Sequence, residues 1–532
     1  MIWLVLSFIL ALLPLSFQFY IVRNYSMPAS DKMYHKLLIT LIQANDHKPV
    51  TTHTNVINSN LLGYPQLLHW IISFFPIRNL EKYDKLIPII MTVLNLCGFY
   101  LSAFFFMYHF KTENPGRFLL IATVIYVSIP FHYNLANAKN VGLSARGLGL
   151  FFGILTSLLT AMYVSGYGWL YYGLAALTGT LILMSSQFAT QFYVLVFPFI
   201  GLYMWRWEPA VLPLISALIY ILVLPKMALA SFRSQGQHKK LYFQYLADRF
   251  ILKHRYSMWR DLVYDIPRRL YHYYLSEGKS VKKLIMHTIR WSYVRNNSFV
   301  VLVLEFALLL VFLVFGLFKY NQGVFENPYS IQIMACATVF FLTTFRKTRF
   351  IGEPERYLEY AAPFLAVVSA VILPLNVVAI VVLFSVLVIL ISMPPRSKQK
   401  SVATQSSGEV YNADFETIRQ YILKHADTAR LLCVYMQDTK YMLDINIKQY
   451  YFIVNAETSD GFHFNKIYPE NFLYITEAAV PELINYYKLN YLLLNKKIEQ
   501  KYNVETIKNR VTGNVQAELE NDTYCLYRVQ HN

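Results

Sequence analysis

The chain has 532 residues, 56% of them hydrophobic and only 15% charged, against about 25% charged in an ordinary soluble domain. A soluble core has no use for so much apolar surface, so the composition excludes a string of soluble domains and points to one large membrane part with an appendage. The formal charge of +17 falls between the apolar runs, which suits membrane lipids or lipid phosphates as partners and speaks against nucleic acid.

The N-terminus, MIWLVLSFILALLPLSFQFYIV, has no basic lead and no small-residue cleavage motif, so it is predicted to be a retained first span. Apolar stretches follow near 87–109, 118–134, 147–164, 169–186, 190–205, 209–230, 299–318, 329–345, 359–375 and 377–393. With the first they predict an α-helical polytopic membrane protein of about 11 transmembrane helices. With that parity, residues 23–86, 135–146, 187–189, 231–298, 346–358 and everything after 394 share one face. The other face receives only short links such as KTENPGR and GYGW. The long connections are where binding and catalysis are expected.

Residues 1–395 are thus read as the membrane domain, with long loops at 23–86 and 231–298, and 396–409 as a polar linker. Residues 410–532 are read as a small C-terminal α/β domain: DFETIRQYILKHA has helical periodicity, RLLCVY, NFLYI, NYLLLN and TYCLYRV are strand-like, and PELINYYKL is a helix running into NYLLLN. The tail has no nucleotide-binding glycine loop. Cys97, Cys336, Cys433 and Cys525 have no CxxC spacing, which predicts neither a zinc site nor a disulfide framework.

Several residues on the long-loop side suit chemistry. Asp31 follows Ser30 at the start of an amphipathic stretch, where it reads as part of a helix start. Asp31 and His35 also share one helical face, where a carboxylate can take a proton and an imidazole can bind phosphate or metal. Tyr64 and His69 lead into an interrupted apolar helix expected in the interface plane, where His69 is either a headgroup-level imidazole or a substrate contact. Lys139 and Arg146 flank small residues at a helix mouth, placed for lipid headgroups or for a phosphate. Gln187, in the turn SSQFATQF, suits a sugar hydroxyl or an ordinary helical hairpin. The loop 231–298 carries fourteen Lys and Arg against four acids, the make-up of helices lying on a membrane. FRKTRFIGEPERYLEYAAP gathers Arg349, Glu353, Glu355 and Arg356 at the junction of two spans. Charges so near hydrocarbon are costly unless paired or used, and Arg356 can clamp a phosphate bidentately while Glu353 or Glu355 orients it.

The first-loop Asp in DKMYH, the YPQLLHW segment, the SARGLG span entry, the late GEPERYLEYAAP junction and the α/β tail together resemble the GT-C fold polytopic membrane glycosyltransferases, which use polyprenyl-phosphate-linked sugars. The resemblance covers the whole chain in architecture. It implies an inverting transfer of a sugar from a polyprenyl-phosphate donor to a glycan, lipid or protein acceptor, with Asp31 as catalytic acid–base residue and Arg349 and Arg356 on the donor phosphate. It also implies a bacterial or archaeal cytoplasmic membrane, with the site and the C-terminal domain extracytoplasmic. The second acid usual in the family's first loop is Lys32 here, so a divalent cation (Mg or Mn) held by Asp31 and His35 stays an open alternative. An O-antigen-type polymerase or ligase, and a lipid-linked sugar transporter or flippase, are the competing readings. The positive-inside rule would place Arg346–Arg356 and Arg396–Lys400 in the cytosol; phosphate-bearing substrates supply a reason for cations outside, and the external placement is the expectation.

Overall fold

The structure, a computed structural model, describes residues 2–24, 29–53, 55–57, 62–133, 142–241, 258–290, 297–319, 323–348, 352–392, 413–425, 427–450, 467, 475–496 and 502–531. The chain forms two compact units: Met1–Asn24, Lys85–Val223 and Phe250–Pro395 make the first, and Tyr25–Asp84, Leu224–Arg249 and Arg396–Asn532 the second. Each is described by itself.

Each apolar stretch contains helix. The first unit holds α1 (Ile2–Asn24), most of α4 (Leu80–His109), α5 (Pro115–Ser128), α6 (Arg146–Met162), α7 (Trp169–Ser185), α8 (Gln187–Met204) and α9 (Trp207–Val223). It continues with the helices Ser298–Glu305, Ala307–Phe318, Pro328–Thr343, Glu355–Ile372 and Leu375–Ser392. Among the described residues, four helices, those near residues 2–23, 82–109, 146–167 and 187–204, are long and apolar enough to cross a membrane unaided, and the pair at 298–318 passes the same test jointly. Exposed Trp169, Trp205 and Trp207 stand at the start of α7, the end of α8 and the start of α9, as an aromatic belt requires.

Three stretches are more broken than their hydropathy suggests. The helix pair at 298–318 bends by 81° at Phe306. α5 stops at Ser128, and Pro130–Tyr133 forms a 3-10 turn. The stretch 209–230 contains a boundary, because α9 ends at Val223 and α10 (Pro225–Leu241) begins anew in the second unit, at a proline that has no N–H to continue the ladder.

Helix starts follow the side chains. Asn114 accepts from the Arg117 N–H at 3.1 Å and Asn327 from the Ser330 N–H at 2.9 Å, each with a proline at the next position, the arrangement favoured at helix N-termini. Polar groups inside the bundle are paired across helices: Ser7 with Thr123 at 2.8 Å, Tyr193 with Ser216 at 2.7 Å, and the Tyr329 hydroxyl donating to the Ser102 carbonyl at 2.7 Å. Water is absent in hydrocarbon, so such bonds tie helices together.

The second unit is built on a five-stranded sheet of order β2-β1-β3-β5-β4, with β1 (Arg430–Cys433), β2 (Lys448–Gln449), β3 (Tyr491–Asn495), β4 (Asn514–Glu520) and β5 (Tyr524–Gln530). β1 runs parallel to β2 and β3, and β5 is antiparallel to β3 and β4. The helices Ala413–Lys424 and Ala479–Tyr487 lie where periodicity puts them, and Lys488 at φ 50° turns the chain straight toward β3. β2 and β4 are additions to the predicted set; residues 471–474 of NFLYI and the linker 396–409 lie outside the described residues.

The first long loop is part of this unit. Its residues 55–57 continue the sheet beyond β2: the Gln449 N–H donates to the Asn55 carbonyl at 2.9 Å, and the Ile57 N–H to the Gln449 carbonyl at 2.9 Å. Met33, on α2 (Ala29–Ala44), is buried in the core formed by Phe415, Ile418, Leu431, Tyr491 and Leu526. Gly63 meets α10 so closely that a Cβ there would collide with Ser234 and the Ala230 carbonyl.

Two tests follow for this unit. Met33→Ala should destabilise it by about 2–5 kcal/mol, the usual cost of emptying a buried methionine site, read as a lowered unfolding midpoint; an unchanged midpoint would mean that α2 is not anchored through Met33. Asp438, fully buried with the Tyr524 hydroxyl 3.4 Å from Oδ1, is pushed up to about 8 by burial. Its folded-state value lies above the unfolded value of about 3.9, so its contribution is complete below the unfolded value and is lost as pH rises toward the folded one. Asp438→Asn should therefore gain stability over the parent on the order of 1 kcal/mol per pH unit between pH 5 and 8; parallel pH profiles for the two would contradict this.

Candidate functional site

In the second unit, Asp31 lies in the first turn of α2, and its side chain is outside the described residues. One turn on, His35 is buried, and its Nδ1 lies 2.7 Å from Nε2 of His69. The two imidazoles stack at 5.0 Å with planes 16° apart, and the Tyr64 ring stands edge-on to both, at 6.0 and 5.6 Å. The sequence thus assembles Asp31, His35, Tyr64 and His69 in one unit.

His69 belongs to α3 (Leu67–Ser73) and is fully buried, so it is not the headgroup-level imidazole that its position in YPQLLHW suggests. Burial, with the neighbouring His35, holds it well below the ordinary histidine value. A neutral His69 has one donor and one acceptor nitrogen, and its Nε2 orients His35. The α2–α3 hairpin is pinned by Gln43, whose Nε2 donates to the Ser73 and Phe75 carbonyls at 2.8 and 2.9 Å, and by the Trp70 Nε1 donating to the His47 carbonyl at 2.8 Å. Gln66 adds a strand-like pair, accepting from the Val50 N–H at 3.0 Å and donating to its carbonyl at 2.5 Å.

His35 Nδ1 is turned onto His69, and among the described residues no three His, Cys, Asp or Glu side chains come together to hold a metal.

In the first unit, residues from three separate loops meet. α6 begins at Arg146, α8 at Gln187, and the late charged helix at Glu355. The Arg146 guanidinium lies 4.3 Å from the centre of the Phe188 ring and that of Arg356 lies 3.5 Å from it. Cation–π attraction with partial desolvation stabilises each by about 0.5–2 kcal/mol. The Arg356 Nε donates to the Glu353 carboxylate. Among the described residues its terminal nitrogens make no other hydrogen bond, which leaves the fork edge for a further acceptor. Gln187, one residue before Phe188, is buried with its Nε2 donor unpartnered.

The backbone allows this crowding at Gly352. Its φ of +148° and the closeness of the Tyr357 hydroxyl leave no room for a Cβ. Beneath, Phe192 and Tyr360 stack at 3.8 Å, closing the site floor with aromatic surface. Three helix N-termini with donors and two guanidinium groups make a place where an anion is stabilised. Glu353 and Glu355 are both buried; Glu353 positions Arg356, and Glu355 stands at the positive end of its helix. Lys139 and Arg349 lie outside the described residues. Phe188 is the residue that charge and motif reasoning overlooks.

No family model matches the chain and no curated protein matches it. Solved structures do. An oligosaccharyltransferase of Archaeoglobus fulgidus, tethered to an acceptor peptide containing the NVT sequon, aligns over 93% of this chain and 69% of its own at 12% identity, with a TM-score of 0.53. The archaeal oligosaccharyltransferase AglB of the same organism, in complex with an inhibitory peptide and a dolichol-phosphate, aligns over 93% and 70% at 14% identity and 0.53. The oligosaccharyltransferase complexed with Zn and sulfate aligns over 96% and 70% at 14% identity and 0.50. At such identities the likeness is one of fold: the chain is an integral membrane protein with the GT-C-like fold of these enzymes, a helical membrane part joined to a small C-terminal α/β domain.

Proposed function

We propose that this protein is an inverting glycosyltransferase that moves a sugar from a polyprenyl-phosphate donor to a glycan, lipid or protein acceptor at the extracytoplasmic membrane face. The observation that carries the reading is the pair of guanidinium groups on Phe188, with the open fork of Arg356 and the unpartnered amide of Gln187 beside it. The fold shared with enzymes solved with acceptor peptide and dolichol-phosphate supports it.

In the reaction, the acceptor nucleophile bonds to the anomeric carbon as the bond from that carbon to the phosphate oxygen breaks. Asp31 takes the acceptor proton. Arg356 and Arg146 offset the charge gathering on the departing lipid phosphate, and Gln187 donates to one of its oxygens. A phosphate leaves readily as an anion, so no second carboxylic acid is required to protonate it, unlike in glycoside hydrolysis. Lys139 and Arg349 add cations to the same side in this reading.

The test is the purified protein in lipid, incubated with polyprenyl-phosphate sugars and acceptors, with release of polyprenyl phosphate measured. Asp31→Asn should lower turnover by about 10²–10⁴ as the base is lost, and Arg356→Ala by about 10²–10³ as a charge-stabilising donor is lost. Release that survives both changes would remove the site assignment, and movement of intact lipid-linked sugar across the bilayer without release would favour a flippase. Reporter fusions after residues 115 and 400 should place the tail outside the cytoplasm; a cytosolic tail would sink the external placement.

A further inference from the structure

Residues 258–290 of the first unit carry seven Lys and Arg against three acids, and they fold into a helical hairpin. Its first helix, Ile266–Ser276, ends where Gly278 and Lys279 turn through φ values of +66° and +59°, the left-handed geometry that stops a helix. Its second helix, Val281–Arg290, is capped by Ser280, whose hydroxyl oxygen accepts from the Lys283 N–H at 3.4 Å. The Lys283 ammonium staples the turn by donating to the Glu277 carboxylate at 2.9 Å. The hairpin's root is fixed to the apolar helix Ser298–Glu305, through Trp259 against Phe299 at 5.7 Å and through Ile266 and Leu270 packed with Val300. The second helix lies against Leu375–Ser392, whose outer stripe of Ile380, Leu383, Leu387 and Leu390 is exposed and wholly apolar.

The hairpin turns outward a surface unsuited to water. On its first helix Ile266 and Leu270 share the inward stripe, while Arg268, Tyr271 and Leu275 share the opposite one and are exposed. Trp259, Val263, Tyr264, Tyr271, Val281 and Ile285 are each more than half exposed. So many large apolar side chains outside so short a segment mark an interaction surface. Among them Arg268, Lys279 and Lys282 are exposed and have no acidic partner among the described residues, since Lys283 engages Glu277 and Asp261 is buried. A protein partner for this surface would have to be apolar and acidic at once. A bilayer supplies both, and the outer stripe of Leu375–Ser392 brings it alongside. Aromatic rings settle at the acyl boundary there, and cations on flexible stems reach the phosphates.

We propose that this hairpin docks on the headgroup layer of the membrane and selects anionic phospholipids. Arg268, Lys279 and Lys282 hold the acidic headgroups, and Tyr264, Tyr271, Val281 and Ile285 sink to the acyl boundary. A zwitterionic headgroup carries its own cation beside the phosphate, so a row of unpaired cations attracts it less than it attracts an acidic one. Within the basic loop 231–298 this singles out the segment that docks, the side chains that hold lipid and the sign of the lipid charge, independently of the transferase reading.

The experiment uses the full-length protein in nanodiscs of phosphatidylcholine and phosphatidylglycerol in equal shares. Cys97→Ser removes the one exposed cysteine, the other three being buried, and Tyr271→Cys carries a fluorophore. Either lipid is then supplied with a nitroxide quencher high on its acyl chain. Quenching by phosphatidylglycerol should exceed that by phosphatidylcholine about fivefold, the strength of one basic residue's attraction to an acidic leaflet. Changing Arg268, Lys279 and Lys282 together to Gln should bring the ratio near one, and so should salt at about 1 M, where screening acts within about 3 Å. The same label at Leu387→Cys should be quenched alike by both lipids in parent and triple variant, which shows that both are folded and inserted; the salt arm decides if the triple variant does not insert. No quenching at Tyr271→Cys, equal quenching by both lipids in the parent, or a preference that survives the triple change or the salt would overturn the proposal. A Leu387→Cys label that neither lipid quenches in the parent would overturn it as well, because the helix beside the hairpin would then not face lipid.

Discussion

Two guanidinium groups share the face of one phenylalanine. Arg146 and Arg356 come from loops more than two hundred residues apart, and both sit at helix starts that follow directly on apolar bundle. Placing two cations there is costly unless each has a partner. Phe188 supplies part of that partnership through its ring, Glu353 fixes Arg356 from one side, and the aligned N–H groups of three helix starts favour a further anion rather than a further cation. Gly352, where no larger residue fits, shows that the approach of the charged turn to α8 constrains the backbone as well as the side chains.

The second unit solves a different problem, that of giving the helix α2 a fixed position. Most of the stability of a helix such as α2 comes from tertiary packing of its apolar face. Its Met33 contributes to the core of the C-terminal sheet domain, and residues 55–57 lengthen that domain's sheet. The tail is therefore more than an appendage hung on a linker: residues separated by nearly four hundred positions in sequence share one core. His35, buried against His69, fixes the face of α2 on which Asp31 is predicted to act. The sheet of the second unit thus has a physical role within that unit, which is to hold the loop that carries the proposed base.

Much of this was legible in the residues. Long apolar runs located the apolar helices of the first unit, because hydrophobic length is the dominant signal in a membrane chain. The breaks were not legible, since Phe306 and Ser128 are ordinary in an apolar run and hydropathy averages across them. In the tail, NYLLLN and TYCLYRV announced buried strands, whereas β4, NVQAELE, is largely exposed and polar, and β2 is two residues long. Charge exposed Arg146, Glu353 and Arg356 as candidates, because a charge beside hydrocarbon demands a reason. Phe188 gave no warning: an aromatic in an apolar helix looks like any other. Met33 in DKMYH was equally silent, for its partners are set by contacts at long range.

His69 carries the same lesson into chemistry. Read from sequence, the histidine in YPQLLHW is either a headgroup-level imidazole or a substrate contact. In the fold it has no exposure, and burial with His35 alongside holds it neutral. A neutral imidazole can accept one hydrogen bond and donate another without bringing charge near a carboxylate. An exposed, protonated histidine at that point would draw in a carboxylate and lower its basicity. The buried pair His35–His69 instead packs the two imidazoles of α2 and α3 against each other, with burial disfavouring charge on His69.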